Sequence, residues 1–452
     1  MYTLTRVVSL ALASVLTIVV PGSVGLDAQA PRRDRHVIVI SLDGFAAYAL
    51  ADPNIPVPTL RALAKNGVMA SSMTPVNPTV TWPNHTTLVT GVPPAQHGLL
   101  YNGLPVRAAA GATGPYIRVE PYVDKTTLVT APTVYDAAHA AGLTTAEVDW
   151  VAIQNAPTIT YAFPEYRQTQ GAVAQAMIAA GVITADDLER FAKAPITFRD
   201  EIWTRAGEYI IRTHKPNLLL FHLLTTDSMQ HQTGARSLGA QTALALADMQ
   251  VKRLVDATRD AGIFDRTTFV IVSDHGFKLV ERRVRANVVL ANAGLGDKAW
   301  AVPEGGTAMI YLTPAGQTSR QATIDAVRTA FRAADGVSAV ITPAEMEAYG
   351  YPSPEKMARM ADVVVAAADG AVFTGGTDGP AIDDVPVGAN RGSHGYLASD
   401  PDMQAIFIAS GAGVRKGATL GAISNLDVAP TVAAWLDVAL PSAAGKRLPI
   451  VE

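Results

Sequence analysis

The stretch 36-HVIVISLDG-44 decides the fold class of this chain. Residues 37–40 are four consecutive β-branched residues, and the run ends at Asp43-Gly44. An unbroken apolar run is typical of a strand buried on both faces in a parallel sheet, because a half-exposed strand alternates apolar and polar residues. The stretches 218–224 and 268–272 are similar runs. The sequence therefore predicts three buried strands in one sheet.

A helix is predicted between the second and third of these strands. Five residues share one stripe at helical spacing: Leu244, Ala247, Val251, Leu254 and Thr258. Gly262 then ends the helical pattern. Further helices are predicted at 134–141 and 324–331. This alternation of strands and amphipathic helices predicts an α/β fold with a mainly parallel central sheet.

Side chains that can bind metals follow all three predicted strands. Asp43 follows the first strand, Asp227 the second, and the pair Asp274-His275 the third. A single aspartate after a strand is more often a turn or capping residue than a ligand. In parallel sheets, however, ligands bind beyond the carboxyl ends of the strands. We therefore expect these side chains to meet in one site.

Two further histidines fit the same site. His231 lies four residues after Asp227, so both side chains share one face of a helical turn. His394 stands between glycines in 392-GSHG-395, which is an unusual place for a core histidine. Both residues are therefore candidate metal ligands.

A short helix with a hydroxyl at its start is predicted at 81-TWPNHTTLVTG-91. Thr81 is expected at the N-cap, Pro83 in the first turn, and Gly91 at the end. Threonine is an ordinary cap, so a purely structural role is one explanation. The N-terminus of a helix also stabilises negative charge, and a hydroxyl beside a divalent cation can act as a nucleophile.

The candidate ligands suffice for two metal ions. Three carboxylates and three imidazoles are available: Asp43, Asp227, His231, Asp274, His275 and His394. With Thr81 they give two ions three protein ligands each, plus one position for the hydroxyl, water or substrate. Nitrogen and oxygen ligands without thiolate suit Zn²⁺, with manganese and iron as alternatives.

These motifs, in this order, resemble the alkaline phosphatase superfamily, and more closely its nucleotide pyrophosphatase/phosphodiesterase family. The resemblance extends from about residue 36 to about residue 440. The motifs that carry it are 81-TWPNH-85 with 90-TG-91, 97-HG-98, Asn102, 43-DGF-45, 274-DHG-276 and 394-HGY-396.

The resemblance implies a fold, a reaction and a role for each candidate residue. The implied fold is an alkaline-phosphatase-like three-layer α/β sandwich, and the implied reaction cleaves phosphate diesters through a covalent phospho-threonine. The implied metal sites are Asp43, Asp274, His275 and the Thr81 oxygen for one ion, and Asp227, His231 and His394 for the other. Asn102 matches the residue that donates a hydrogen bond to a non-bridging phosphoryl oxygen.

The substrate class is predicted from the absence of a basic residue in one stretch of the sequence. Monoesterases of this superfamily with a threonine nucleophile carry a Lys-x-Arg element for the extra anionic oxygen. The corresponding stretch, 148-VDWVAIQ-154, has no basic residue and places Asp149 there instead. This favours a small phosphodiester or nucleotide as substrate. The alternatives are a phosphomonoesterase, a phospholipid phosphodiesterase, a phosphonate hydrolase or a non-catalytic binding protein on this fold, and the intact ligand set argues against the last.

The N-terminus predicts export. Arg6 provides positive charge, residues 7–20 are apolar, and 28-AQA-30 offers small residues for cleavage after Ala30. The apolar run is shorter than the ~20 residues that span a bilayer. Residues 1–30 are therefore predicted to be a signal peptide, and the protein to be periplasmic or secreted without a membrane span. Residues 31–452 would form the catalytic domain, with an inserted α+β subdomain at 278–390.

Composition excludes several classes of protein. With 452 residues, of which 49% are hydrophobic, the chain can form a large core and is not disordered. Its formal net charge of −4 does not favour specific nucleic-acid binding. It has no cysteine, which excludes disulfides, zinc–thiolate sites and a cysteine nucleophile. Composition does not indicate an oligomeric state.

Overall fold

A computed structural model of the chain describes residues 1, 34–109, 115–165, 171–418 and 420–452. The contacts divide the chain into two compact units, Met1–Ala30 and Pro31–Glu452. Apart from residue 1, the predicted signal peptide lies outside the described residues, so export and cleavage stay predictions. No helix among the described residues is long and apolar enough to cross a bilayer.

Strands and helices alternate along the described part of the chain. The strands are β1 (His36–Leu42), β2 (Val68–Thr74), β3 (Leu104–Arg107), β4 (Ile117–Glu120), β5 (Thr145–Val148), β6 (Tyr161–Phe163), β7 (Leu218–Leu223), β8 (Thr267–Val272), β9 (Lys278–Leu279), β10 (Arg282–Arg285), β11 (Ala299–Glu304), β12 (Thr307–Leu312), β13 (Val337–Ile341), β14 (Val363–Ala367), β15 (Ala371–Thr374), β16 (Ile382–Asp384), β17 (Gly392–Ser393), β18 (Phe407–Gly411) and β19 (Leu420–Ser424). The α-helices are α1 (Ala47–Ala51), α2 (Pro58–Lys65), α3 (Thr81–Thr90), α4 (Pro94–His97), α5 (Lys125–Leu128), α6 (Val134–Ala140), α7 (Ala172–Ala179), α8 (Ala185–Arg190), α9 (Ile196–His214), α10 (Thr225–Thr233), α11 (Leu238–Asp260), α12 (Ala286–Asn292), α13 (Pro314–Gln317), α14 (Arg320–Ala333) and α15 (Val428–Trp435).

Eight of the described strands form the central sheet, in the order β19-β2-β18-β8-β1-β7-β5-β6. Strand β18 runs antiparallel to its neighbours β2 and β8, and the other neighbouring pairs are parallel. The predicted α/β class with a mainly parallel sheet is therefore confirmed. The predicted helices also form, as α6, α11 and α14.

The apolar run of β1 is explained by a core on each face of the sheet. Ile38 and Ile40 belong to one apolar cluster, to which α11 contributes Leu244 and Leu254. Val37 and Val39 belong to a second cluster, which contains residues of α3, α6 and α15. Because successive side chains of a strand point to opposite faces, both sets must be apolar. The result is a three-layer sandwich.

The order of the strands brings the three predicted ligand positions to one edge. Strand β1 lies between β7 and β8 and is parallel to both. Leu42 of β1 is paired with Leu223 of β7, and Ser41 with Val272 of β8. The three strands therefore end at nearly the same level, and the residues that follow them leave the sheet side by side.

The segment between β9 and β17 carries two smaller sheets of its own. One has the order β15-β10-β16, and the other has the order β11-β12-β14-β13. Residues from these sheets form a separate apolar cluster with α12 and α14. The ends of the segment meet where β9 pairs with β17. Contacts nevertheless group Pro31–Glu452 as one unit, so the inserted subdomain at 278–390 stays a prediction.

Candidate active site and metal centre

The residues after β1 and β8 form the base of the site. Asp43 and the pair Asp274-His275 are fully buried. The His275 Nε2 atom lies 3.4 Å from Asp43 Oδ1 and 3.1 Å from Asp274 Oδ2. Asp274 Oδ1 accepts hydrogen bonds from the backbone N–H of Gly44 and of His275, which fixes the carboxylate. The two strand ends thus bring together the ligand atoms that the sequence predicts to be neighbours.

Gly276 allows the loop after β8 to approach the rest of the fold. A Cβ atom at this position would lie 1.9 Å from the Asp402 carbonyl oxygen, so only glycine fits without a backbone shift. The backbone N–H of Gly276 also donates to the Met403 carbonyl. The glycine of 274-DHG-276 therefore lets this loop pack directly against the backbone of Asp402 and Met403.

Helix α10 presents Asp227 and His231 to the same region. Asp200, which is fully buried, accepts hydrogen bonds from Leu224 and Thr225 at the start of this helix. The His231 Nε2 atom lies 3.3 Å from Asp227 Oδ1. Asp200 caps the helix from α9, a role that sequence spacing could not indicate.

His394 completes the cluster from a loop that follows β17. Its Nε2 atom lies 3.6 Å from Asp227 Oδ1, and its ring stacks on that of His275 with centroids 3.8 Å apart. The structure thus brings all six predicted ligands together: Asp43, Asp227, His231, Asp274, His275 and His394.

Three histidines are held with the same ring atom facing the site. The Nδ1 atoms of His231, His275 and His394 lie 2.9 to 3.1 Å from backbone carbonyl oxygens. A carbonyl oxygen only accepts, so Nδ1 carries the proton and Nε2 keeps its lone pair. This is the tautomer in which the Nε2 atom of a histidine binds a metal.

Unpaired ligand atoms point to a cation. Among the six candidate ligands, four buried atoms have no hydrogen-bond partner: Asp43 Oδ1, Asp227 Oδ1, Asp274 Oδ2 and His275 Nε2. Burying such atoms is costly unless something binds them. Two groups have ligand atoms within 4.8 Å of one another, one formed by Asp227, His231 and His394 and the other by Asp43, Asp227 and His275. The donor set therefore fits divalent cations.

The first of these groups is the set predicted for one of the two ions. The second group contains Asp227 where the prediction has Asp274, because the Asp227 carboxylate lies close to both sets of atoms. Asp274 still lies beside His275, at 3.1 Å. The division of ligands between two ions stays a prediction.

The protonation states suit metal binding at neutral pH. Burial lowers the pKa of His275 to about 4 and that of His394 to about 3, so both rings are neutral. Burial raises the pKa of Asp43 well above its usual value, and the charges of Asp274 and Asp227 raise it further. Carboxylates packed this closely repel one another, and a divalent cation would relieve that repulsion.

Helix α3 begins at Thr81, and its N-cap is Val80. Val80 has extended backbone angles, and its side chain makes no capping hydrogen bond. The prediction that Thr81 is the N-cap is therefore wrong by one residue, because Val80 makes the turn into the helix. The Thr81 hydroxyl makes no capping bond, which leaves it available for chemistry. The predicted end at Gly91 is correct, with φ of 69°.

Helix α3 is tied to the ligand residues by its own side chains and by the loop before it. The His85 Nδ1 atom lies 2.9 Å from the Thr81 carbonyl oxygen and 3.5 Å from Asp274 Oδ2. The Thr79 carbonyl oxygen accepts from His394 Nδ1 at 3.1 Å. These contacts place Thr81 next to the cluster.

The side chain of Asn102 contacts the first turn of α3. Its Oδ1 atom accepts a hydrogen bond of 2.9 Å from the backbone N–H of Trp82. With the oxygen engaged, the amide N–H groups are directed elsewhere and can donate to an anion. The position suits the predicted role as a donor to a phosphoryl oxygen.

Sequence reasoning missed the importance of His222 in β7. The ring is buried between two carboxylates, with Nε2 3.1 Å from Asp43 Oδ2 and Nδ1 3.0 Å from Asp149 Oδ2. Burial lowers the pKa of His222, but the charge and hydrogen bonds of Asp149 and Asp43 raise it more, so it lies well above its usual value. His222 stands within an apolar run, so its sequence context indicated only a structural role.

Asp149 does not face a substrate. The expectation that a terminal phosphate would meet its carboxylate is wrong, because Asp149 is fully buried and contacts His222. Burial raises the pKa of Asp149 to about 8. The prediction of a diester substrate now rests on the absence of Lys and Arg from 148–154 alone.

A cavity of about 560 Å³ lies beside α3. Among the described residues its lining includes Trp82, Glu147, Trp150 and the stretch 151–156. Trp82 directly follows Thr81 in sequence, whereas Thr81 itself is not one of the residues that line the cavity. Aromatic and apolar walls with a few polar groups are typical of small-molecule sites.

The motifs and the fold define a class of protein that matches a known family. Residues 37–397 match the family described as "Type I phosphodiesterase / nucleotide pyrophosphatase". This match covers most of the chain and includes every candidate metal ligand. The chain therefore belongs to the type I phosphodiesterase/nucleotide pyrophosphatase family, and the predicted family is confirmed.

Known relatives carry names of the same family. The chain is 24% identical over 267 residues to ectonucleotide pyrophosphatase/phosphodiesterase family member 1 of Rattus norvegicus, covering 58% of this chain and 26% of the relative. It is 24% identical over 397 residues to an ectonucleotide pyrophosphatase/phosphodiesterase of Caenorhabditis elegans, covering 86% of this chain and 45% of the relative. The chain thus spans less than half the length of these relatives.

Solved structures share the fold. Human ectonucleotide pyrophosphatase/phosphodiesterase 5 is 20% identical with a TM-score of 0.67, and the match covers 92% of this chain and 96% of the human chain. The murine protein 5, an inactive variant in complex with AMP, is 20% identical with a TM-score of 0.70, covering 91% and 97%. These matches confirm the alkaline-phosphatase-like architecture.

Proposed function

We propose that this protein is an exported, metal-dependent phosphodiesterase/nucleotide pyrophosphatase that cleaves phosphate diesters through a covalent phospho-threonine on Thr81. One observation carries the proposal: a buried cluster of unpaired carboxylate and imidazole atoms lies beside the helix that begins at Thr81. Family membership supports the reaction class.

The proposed cofactors are two divalent ions, with Zn²⁺ expected from the nitrogen and oxygen ligands. One ion would be held by Asp43, Asp274, His275 and Thr81, and the other by Asp227, His231 and His394. Bound ions would supply Lewis acidity, which lowers the pKa of a hydroxyl and stabilises charge on phosphoryl and leaving oxygens.

The residues of this chain then account for the reaction. The Thr81 oxygen attacks phosphorus and forms a new ester bond, while the bond from phosphorus to the leaving oxygen breaks. Water then hydrolyses the phospho-threonine and regenerates the hydroxyl. The positive N-terminal end of α3 and the amide of Asn102 stabilise the negative charge on the phosphoryl oxygens.

The proposed substrate is a nucleotide or another small phosphodiester. The cavity that Trp82 lines has the apolar and aromatic walls that can hold a planar aromatic group. The murine relative was solved with AMP, which supports a nucleotide by analogy. The stretch 148–154 brings no cation toward a second anionic oxygen. A diester has one fewer negative charge than a monoester and therefore suits this environment.

Export is proposed from the first thirty residues. A positive charge at Arg6, the apolar stretch 7–20 and small residues at 28–30 form the pattern of a signal peptide. The relatives are described as ectonucleotide enzymes, which supports an extracytoplasmic location.

A hydrolysis panel with purified, zinc-loaded protein tests the proposal. The panel contains an aryl nucleoside phosphodiester, the matching aryl monoester, a nucleoside triphosphate, a phosphocholine lipid and a phosphonate. The expected result is the highest kcat/KM for the nucleoside diester, at least tenfold above the monoester, since one charge-assisted contact is on the order of 1.4 kcal/mol. A higher value for the monoester, lipid or phosphonate would assign the protein to that alternative activity.

A further inference from the structure

The buried ring of His222 joins two carboxylates behind the site. Its Nε2 atom lies 3.1 Å from Asp43 Oδ2, and its Nδ1 atom lies 3.0 Å from Asp149 Oδ2 and 3.1 Å from the Asp149 carbonyl oxygen. All three side chains are at most 1% exposed. The imidazole therefore bridges a predicted ligand and a carboxylate that makes no contact with the site.

The two carboxylate oxygens of Asp43 have different surroundings, because only one of them contacts His222. Oδ2 faces the His222 ring, whereas Oδ1 has no hydrogen-bond partner and lies 3.4 Å from His275 Nε2. A donor at Oδ2 fixes the rotation of the carboxylate about its last torsion angle. It thereby leaves Oδ1 directed at the cluster.

Asp149 holds His222 from the other side at a conformational cost. Its φ of 58° lies in the left-handed region that residues with a Cβ atom rarely adopt. In this conformation both its carboxylate and its carbonyl oxygen reach Nδ1 of the same ring. Asp149 is itself anchored by its backbone N–H, which donates to Phe163.

As a purely structural feature, this buried polar bridge would cost stability that an apolar core would not. The neighbours of His222 in β7, Phe221 and Leu223, are buried apolar residues. Apolar side chains at all three positions would fill the core without burying three polar groups. The polar bridge is explained if holding Asp43 in position contributes more to function than burying these groups costs in stability.

We propose that His222, itself held by Asp149, is a positioning residue that fixes Asp43 for a divalent cation. The inference rests on the proposed metal site and is independent of the substrate. Partners of metal ligands of this kind typically change metal affinity 10- to 100-fold when they are removed.

Two substitutions separate positioning from packing. In His222→Gln the side-chain amide reaches about as far as Nε2 and can still donate to Asp43. In His222→Asn the amide reaches only about as far as Nδ1, so Asp43 Oδ2 loses its donor. Both variants are polar and smaller than histidine. Glutamine keeps the donor to Asp43 and loses the donor to Asp149, and asparagine does the reverse.

The experiment measures zinc affinity by chelator competition, and metal content after dialysis, for both variants and the parent. We expect His222→Asn to weaken the binding of one of the two ions 10- to 100-fold, and His222→Gln to stay within about threefold of the parent. Cobalt-substituted protein gives a second readout, since the absorption bands of one ion should change in His222→Asn and stay unchanged in His222→Gln.

His36→Asn is the matched control. His36 is a buried histidine at the opposite end of β1, and its Nδ1 atom contacts the Pro216 carbonyl oxygen at 2.8 Å. This variant should unfold at a lower temperature but bind both ions with unchanged affinity. Asp149→Asn keeps an oxygen facing Nδ1 of His222. It should therefore weaken the binding of one ion, but less than His222→Asn does.

Equal losses of zinc affinity in His222→Asn and His222→Gln would overturn the inference, as would unchanged affinity in His222→Asn. A comparable loss in His36→Asn would also overturn it, by showing that affinity follows general stability. A parent that binds no divalent ion would refute the metal site itself. A parent that binds two ions but cleaves no diester would refute the proposed substrate, while the affinity comparison would still decide the role of His222.

Discussion

At the scale of single residues, the Thr81 hydroxyl is expected to be essential for catalysis and to contribute little to stability. It makes no capping hydrogen bond in α3, so its removal should cost less than the ~1 kcal/mol typical of a lost N-cap. We expect Thr81→Ala to lower kcat about 1,000-fold or more, with metal content and melting temperature nearly unchanged. Steady-state kinetics, metal analysis and thermal unfolding of one preparation test this expectation.

Thr81→Ser is the control for that experiment, because it keeps a hydroxyl at the same position. It should retain measurable activity and accumulate a phosphorylated serine when the reaction is quenched. An active alanine variant, or phosphate trapped on another residue, would show that Thr81 is not the nucleophile.

Glu147 gives a residue-scale prediction about pH. Burial raises its pKa to about 8, so the folded protein keeps Glu147 protonated at neutral pH while the unfolded chain ionises near pH 4.5. A raised pKa means that stability is present below pH 4.5 and is lost as the pH rises toward 8. Glu147→Gln cannot ionise and should therefore be more stable than the parent at pH 7, by on the order of a few kcal/mol.

Chemical denaturation of both proteins across this pH range checks the prediction. The difference in unfolding free energy should vanish below about pH 4.5 and grow up to about pH 8. A difference that does not vary with pH would show that Glu147 titrates normally. Titrating groups far from Glu147 contribute equally to both proteins and cancel, whereas Asp149, whose charge raises the pKa of Glu147, does not cancel fully.

Residue-scale sequence reasoning worked where a motif coincided with a strand end. Asp43, Asp227 and Asp274 could be proposed as neighbours because parallel strands end at one edge. His222 could not be recognised, since its role depends on contact with Asp149, which is 73 residues away in sequence. A buried polar bridge leaves no periodic signal in either strand.

At the scale of elements, α3 depends on a buried asparagine. Asn84 donates to the carbonyl oxygens of Pro78 and Val80, and its Oδ1 accepts from Val76 and from Asn425. These bonds fix the loop before the helix. The loop also contains Thr79, whose carbonyl oxygen holds His394.

We expect Asn84→Ala to destabilise the fold by about 3 kcal/mol, because several buried backbone groups would lose their partner. Zinc affinity should fall as well, since Thr79 would no longer hold His394 firmly. Denaturant unfolding and chelator competition measure the two effects. Asn66→Ala is the matched control: Asn66 is exposed at the end of α2, so its loss should change stability by less than about 0.5 kcal/mol.

Elements with a strong local signal were predicted well. The run of β1 is apolar throughout because its two faces contact different cores, which is the condition that the pattern indicates. The start of α3 was misplaced by one residue, since Thr81 is a good capping residue but Val80 is the one with extended backbone angles. Capping preference describes likelihood among residue types, whereas the packing of the loop decides where the helix begins.

At the scale of the whole molecule, the site joins parts of the chain that are far apart in sequence. His394 comes from the loop after β17, and the strands β9 and β17 close the segment between them. Asp43, Asp227 and His275 reach the same place from three strand ends. Neither the resemblance nor the spacing gives these distances, because they depend on how the complete sheet packs.

Removal of metal should destabilise the whole protein. Burial and the close carboxylates raise the pKa of Asp43, so a metal-free protein either binds an extra proton there or bears the repulsion. A ligand that binds only the folded state stabilises it by about 2.7 kcal/mol at 100 times its dissociation constant. Chelation should therefore lower the melting temperature of the parent, and zinc should restore it.

The size of this effect should depend on pH with a defined sign. Since Asp43 must lose its proton before it binds a cation, metal binding becomes stronger as the pH rises. Between pH 6.5 and 8, where His275 and His394 are already neutral, the difference in melting temperature with and without chelator should increase. Asp43→Asn removes one titrating group and should show a smaller increase over this range. His231 still titrates in this variant, because burial lowers its pKa but the charge of Asp227 raises it more. If chelation leaves the parent unchanged at every pH, the buried carboxylates do not hold a metal, and their repulsion must be relieved by bound protons.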